Sequence, residues 1–469
     1  MTDHFYLVVE PLGPCVGQGS FETGQNVFRL PRPLTRGIVI RMPKLSRRKL
    51  IVGGTVVLLT SAGGRVVHQA VGRAPSEHNH YFQRISSALD AADTPRPVLV
   101  IDRDRARANL ERLLTRIRPR YHYRIVVKSL PSLPLLAWLM EEADTRRLMI
   151  FNEPFLRAVT AAFPESDVLM GKPLTVDAAA HYYRHRDAAS GFRPDRQLQW
   201  LIDSPERLAA YGKLADGLKE TVRVSVEINV GLHRGGVKEQ STLAEMISEI
   251  KRHPYLSFGG LMGYEAHIAK APGGPERNFR RAMNRYASFL ETVRDVLGEH
   301  DDEWVLNAGG STTYTLYEGR DVVPNELAVG SAIVQPTDFD LPTLSDHEPA
   351  SFIATHALKV NPGLHLPGVP ELGRILGWWD QRYRTTLFID GGNWMGEPVS
   401  PPGLVYNNLY GRSSNQEMLN GPAELNLVPG DRVFLRPTQS EAVLLQFGDL
   451  LMYDPEAGAI VDRWAPFRL

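Results

Sequence analysis

The sequence is nearly without cysteine: Cys15 is the only one in 469 residues, and it lies ahead of the region that reads as folded. That excludes a disulfide framework, a thiolate metal site and a catalytic thiol in the body of the protein, and it suits an oxidising compartment. A bias of charge is missing too. Lys plus Arg and Asp plus Glu both number 53, and no long run of one sign occurs. The electrostatic footprint of a nucleic-acid binder is therefore absent, and a small molecule is the expected partner. Nor is there a long apolar run. The candidate, from Leu50 to about Ala62, has about 13 residues, against the roughly 20 that cross a bilayer as a helix. No internal repeat or low-complexity tract appears. At this length two folded domains and a terminal extension are expected.

What is present begins with Ser46-Arg47-Arg48-Lys49-Leu50-Ile51, followed by that short Gly- and Val-rich run. This reads as a twin-arginine export signal rather than a stable membrane anchor, and it predicts a periplasmic protein. The alternative is a buried helix or strand behind two arginines, with the protein then cytoplasmic. Met42 stands five residues before Arg47 and offers a start. Residues 1–41 are then expected to be a non-native or disordered extension and 42–75 the signal segment.

From Thr94 short apolar runs alternate with helical stretches. Val98–Ile101, Ile125–Val127, Leu148–Ile150, Asp167–Met170, Gln199–Ile202, Val222–Val230, Phe258–Tyr264 and Val305–Leu306 read as strands. About eight strands over roughly 240 residues predict an α/β fold and match the size of a TIM-like (β/α)8 barrel spanning 94–335, although such alternation alone fits an open doubly wound sheet equally. Beyond it the helical period fades, and short runs such as Thr386–Ile389, Arg432–Leu435 and Val443–Phe447 predict a C-terminal β-rich domain over 336–469.

Three segments carry chemistry. Lys128 ends the strand Ile125-Val126-Val127, at the end where barrels collect catalytic groups. A lysine amine in such a place can form a Schiff base with an aldehyde cofactor, although a strand-capping surface lysine reads alike. Next, Val226–Val237 delivers a Gly-rich loop holding Arg234, whose planar donors suit an anionic oxygen; an ordinary turn with a solvated arginine is the plain alternative. Third, Asn307-Ala308-Gly309-Gly310-Ser311-Thr312-Thr313-Tyr314 and Gly330-Ser331 combine glycines with hydroxyls late in the barrel, as a phosphate cradle would.

The order of these segments resembles the D-threonine aldolase and D-serine dehydratase branch of the alanine-racemase-like (fold type III) pyridoxal-phosphate enzymes. The resemblance runs from about Thr94 to the C-terminus. It takes in Asn109, Val127-Lys128-Ser129, Asp203-Ser204-Pro205, Asn229–Val237, Gly260–Tyr264, Gly309-Gly310, Gly330-Ser331, Pro429–Val433 and Ile460–Trp464. It implies pyridoxal 5'-phosphate carried on Lys128, with Arg234 facing its phenolic oxygen and Tyr264 beside its ring. Gly309, Gly310, Ser311, Thr312, Gly330 and Ser331 would surround its phosphate. A homodimer and a small amino-acid substrate are implied with it.

That branch holds a divalent metal by a His-x-Cys or His-x-Asp pair after a proline. Here the stretch reads Pro437-Thr438-Gln439-Ser440-Glu441, so Gln439 and Glu441 stand at those positions. They make a poor zinc site and put a divalent metal in doubt, with a harder ion such as Mg²⁺ or Mn²⁺ left as the open case. The leading expectation is a lyase cleaving or eliminating a D-β-hydroxy amino acid. A metal-independent racemase or epimerase on the same scaffold is the second, with His267 or Tyr314 as the acid/base opposite Lys128. A non-catalytic pyridoxal-binding protein is the third.

Overall fold

The computed structural model describes residues 77–298, 303–366, 368, 370–407 and 409–468, all within one compact unit, Val71–Leu469. The expected extension and twin-arginine segment lie outside the described residues. Among those described, no helix is long and apolar enough to cross a membrane.

The first strand, β1 (Val98–Asp102), is buried along its whole length. Eight parallel strands then close a barrel: β2 (His122–Val126), β3 (Arg147–Ile150), β4 (Asp167–Met170), β5 (Leu198–Ile202), β6 (Val222–Glu227), β7 (Leu256–Met262), β8 (Val305–Ala308) and β9 (Glu326–Val329). Closure comes from β2 lying parallel to β9, with Tyr123 opposite Leu327 and Ile125 opposite Val329. Helices cover the outside, many opened by an oxygen-bearing cap. Asn152 accepts from the Phe155 amide and Ser204 from the Arg207 amide, satisfying donors that the first turn leaves free.

The second region is a nine-stranded sheet built from β1, β10 (Ser351–Pro362), β11 (Thr385–Asp390), β12 (Gly396–Ser400), β13 (Val405–Tyr406), β14 (Gln416–Gly421), β15 (Arg432–Pro437), β16 (Leu450–Asp454) and β17 (Ala459–Trp464). The barrel followed by a β-rich region is the architecture expected from the sequence.

Two assignments need correction. Val98–Ile101 does not open the barrel. It pairs antiparallel with β10 and parallel with β16, and the eighth barrel strand is Glu326–Val329. A strand buried on both faces looks the same in either sheet, and its partners lie some 250 to 350 residues away. Val443–Phe447 is not a strand either. The short helix Ser440–Val443 ends there, and Val443, Leu444 and Phe447 face the core from a turn.

Candidate active site

The chain leaves β2 in a single turn, Val127–Ser129, whose flanking side chains are buried. This fixes Lys128 at the C-terminal mouth of the barrel. There it lines a cavity of about 150 Å³ together with Ser129, Arg234, Tyr264, Gly309, Gly310, Ser311, Gly330, Ser331 and Glu441. Lysine, arginine, tyrosine and both glycine segments thus converge from five strand ends. Thr312 is not in the wall, but its hydroxyl is buried without a hydrogen-bond partner.

Each part has a local cause. Gly236, at φ +84°, lets the loop after β6 turn back; a Cβ there would stand 2.8 Å from the carbonyl carbon of Ile228. The return is held by Val237 N–H to the Glu227 carbonyl at 2.8 Å and Asn229 N–H to the Val237 carbonyl at 2.9 Å. Arg234 rides on this loop with its guanidinium 5.0 Å from the centre of the Tyr264 ring, inside the range where the ring quadrupole attracts a cation. Burial, aided by nearby Glu265, pushes the Tyr264 phenol up and outweighs the opposing field of Arg234.

In the cradle, the absence of a side chain at Gly310 admits Tyr264, whose Cε2 would lie 2.8 Å from a Cβ. Ser311 Oγ accepts from the amides of Gly330 at 3.4 Å and Ala332 at 3.0 Å, tying the two glycine segments together. A residue the sequence reading missed lies beneath them. Glu265 is fully buried and accepts from the Gly309 amide at 3.2 Å and from Thr313 Oγ1 at 2.7 Å. Burial holds its carboxyl above the usual range against these bonds. An acidic residue directly behind Tyr264 was the available signal, and nothing local told it from a solvated one.

Glu441 was expected at a metal position, yet its Oε1 lies 2.9 Å from Lys128 Nζ and its Oε2 3.5 Å from Ser129 Oγ. Gln439 donates to Asp338 at 2.8 Å instead of facing the cavity. Among the described residues no group of three or more His, Cys, Asp or Glu is placed to hold a metal ion.

The structure does not bring His267 or Tyr314 to the cavity. The Tyr314 hydroxyl lies 3.1 Å from His347 Nε2 and accepts from Arg116 at 3.3 Å; burial pushes it up to about 12. The glycine turn that forms the cradle sends Tyr314 to the other side of the chain. His267 sits behind the loop after β6, its Nε2 3.0 Å from where a Cβ of Gly231 would be, with Nδ1 buried and unpartnered. Burial, then His233, depresses its pKa.

Comparisons with known proteins agree with this geometry. Residues 101–336 match the alanine racemase N-terminal domain family. No curated protein matches by sequence. Among solved structures, D-threo-3-hydroxyaspartate dehydratase from Delftia sp. HT23 superposes with a TM-score of 0.64 at 18% identity, over 80% of this chain and 98% of that one. D-threonine aldolase from Filomicrobium marinum gives 0.63 at 18%, over 80% and 95%. Alanine racemase from Bacillus anthracis gives 0.58 at 14%, over 79% and 98%. At these identities the likeness speaks for the fold, and members of the family use pyridoxal phosphate. A family match over half the chain, on a closed barrel with a lysine at the end of its first strand, places the protein: it belongs to the alanine racemase N-terminal domain family.

Proposed function

We propose that the protein is a pyridoxal-phosphate-dependent lyase acting on a small D-β-hydroxy amino acid, by β-elimination or Cα–Cβ cleavage. The observation that carries the reading is the opening of Lys128 Nζ onto the same cavity as the two glycine segments. The residues present fit the cofactor. Gly310 and Gly330 leave room that a Cβ would fill, at 2.8 Å from Tyr264 and from Val126, and Ser311 and Ser331 stand in the same wall.

Lys128 would hold the cofactor, and Gly309, Gly310, Ser311, Gly330 and Ser331, which line the same cavity, its phosphate. Pyridoxal phosphate supplies an electron sink for a bond broken at the α-carbon. Arg234, over Tyr264, would contribute a fixed positive charge beside the ring's oxygen. Lys128 would move a proton at the α-carbon, taking it off in β-elimination or supplying one after Cα–Cβ cleavage, and Met149, Phe151, Met262 and Phe339 give the cavity an apolar wall that limits water. Two of the solved proteins of like fold are named for D-threonine cleavage and D-3-hydroxyaspartate dehydration, which supports the substrate class. A racemase needs a second proton carrier across the ring from Lys128. Neither His267 nor Tyr314 of the same chain lines the cavity, and what favours the lyase reading is the naming of the two solved proteins of like fold. Export through the twin-arginine segment and a homodimer complete the proposal.

The test is a panel of D-threonine, D-serine and D-3-hydroxyaspartate with their L forms, followed for aldehyde, 2-oxo acid and inverted amino acid. Aldehyde or oxo acid from D substrates supports the lyase. Inversion alone would replace it with the racemase.

A further inference from the structure

The residues at the expected metal position do not fit a metal. Gln439 is bonded to Asp338, and both oxygens of Glu441 are turned to the cofactor-lysine segment, at 2.9 Å from Lys128 Nζ and 3.5 Å from Ser129 Oγ. A chain of hydroxyls holds this arrangement from behind: Ser331 Oγ lies 3.0 Å from Ser129 Oγ and 3.1 Å from Ser440 Oγ. The neighbour of the lysine and the neighbour of the glutamate are thereby tied through one cradle residue. The pair remains open to an incoming ligand, with Lys128 40% and Glu441 33% exposed.

Resting on the lyase reading, we propose that Glu441 replaces the metal. It is the catalytic group that exchanges a proton with the substrate's β-oxygen, and the site works by β-elimination without a divalent ion. A substrate held on the cofactor in place of Lys128 would occupy the cavity that both the freed lysine and Glu441 line, which brings a carboxyl and an amine to one small space. In the step, the Cα–H electron pair becomes the Cα=Cβ bond, and the Cβ–O pair leaves with oxygen. The Lys128 amine takes the α-proton. The Glu441 carboxyl gives a proton to the departing hydroxyl, which leaves as water. The step ends with a lysine ammonium and a glutamate carboxylate, the ion pair seen in the structure. One proton passed back across 2.9 Å resets both groups.

Two experiments test this. In the first, calorimetric titration of cofactor-free protein with Zn²⁺ and Mn²⁺ compares the wild type with the double variant Gln439→His, Glu441→Cys. The proposal expects no stoichiometric site in the wild type and a new Zn²⁺ site in the double variant. One equivalent bound by the wild type and lost in Glu441→Gln overturns it, whatever the cofactor does. In the second, loaded protein stripped of metal is given D-serine and D-3-hydroxyaspartate in D₂O. Glu441→Gln should keep deuterium exchange at Cα within about 3-fold while oxo acid formation falls by about 10²-fold or more, the scale of general acid catalysis; Glu441→Asp should recover part of it. Equal loss of exchange and elimination, or retention of both, contradicts the assignment. Failure of the lyase reading shows differently, as absence of oxo acid from the wild type itself, with or without exchange at Cα.

Discussion

The two ends of the barrel use polar groups in opposite ways. At the N-terminal end Arg124 is fully buried inside the strands. It bonds Glu326 Oε2 at 2.8 Å, Asp167 Oδ1 at 2.6 Å and the carbonyls of Leu148 and Asp167 at 3.0 and 2.8 Å. Arg147 at 2.9 Å and Asn307 at 2.8 Å complete the hydrogen bonding of Glu326. At the C-terminal end the Thr312 hydroxyl has no partner, Lys128 and Glu441 stay within reach of solvent, and glycines keep space open. A saturated network rigidifies a barrel, whereas an unsaturated mouth can bind and react. Asn307 belongs to both, lining the cavity while donating to Glu326. The floor of the site is thus anchored in the rigid half.

Changes at each end should separate these roles. Lys128→Ala should lower turnover by about 10³-fold or more, yet leave the urea midpoint nearly unchanged, since a half-exposed ion pair contributes about 0–1 kcal/mol. Arg124→Met should do the reverse in kind, costing about 3–5 kcal/mol by leaving Glu326 buried without its guanidinium. Urea unfolding reads it; a loss below about 1 kcal/mol would erase the contrast between the ends.

Gly310→Ala lies at the seam. Its methyl must displace the Tyr264 ring, and overpacking of this kind costs about 1–3 kcal/mol, so pyridoxal-phosphate affinity measured by fluorescence titration should fall by about tenfold or more. Glu265 gives a signature in pH. Burial raises its folded pKa, so the folded state holds a proton that the unfolded state releases, and stability falls as pH rises above the ordinary glutamate value of 4.5 towards the folded one. Unfolding free energies at a series of pH values should fall more steeply with rising pH in the wild type than in Glu265→Gln, the difference being the Glu265 contribution, since buried Glu227 and Asp102 are raised as well. The smallest effect is expected from Tyr314→Phe. It removes bonds to His347 and Arg116 outside the cavity, costing about 1 kcal/mol with turnover changed by less than about threefold.

The same contrast explains what could be read in the sequence. Lys128, the Arg234 loop and the glycine segments were legible because each is a local pattern: a strand end, a Gly-rich return, a run of small donors. The barrel was legible from its alternation, but not the placement of Val98–Asp102, whose neighbours are set by β10 and β16 far along the chain. Glu265 and the Arg124 network escaped because burial of a charge depends on partners such as Thr313, Glu326 and Asp167, which lie 40 to 200 residues away. Glu441 shows both limits. Its departure from the expected ligand pattern was visible, and its contact with Lys128, 313 residues distant, was not.

The measurement that tests the central claim most directly is borohydride reduction of protein incubated with pyridoxal phosphate, with absorption recorded before and after and the modified peptide mapped by mass. The account predicts a near-visible band that disappears on reduction and a single stable adduct on Lys128. Absence of an adduct there, or one placed on another lysine, would contradict it.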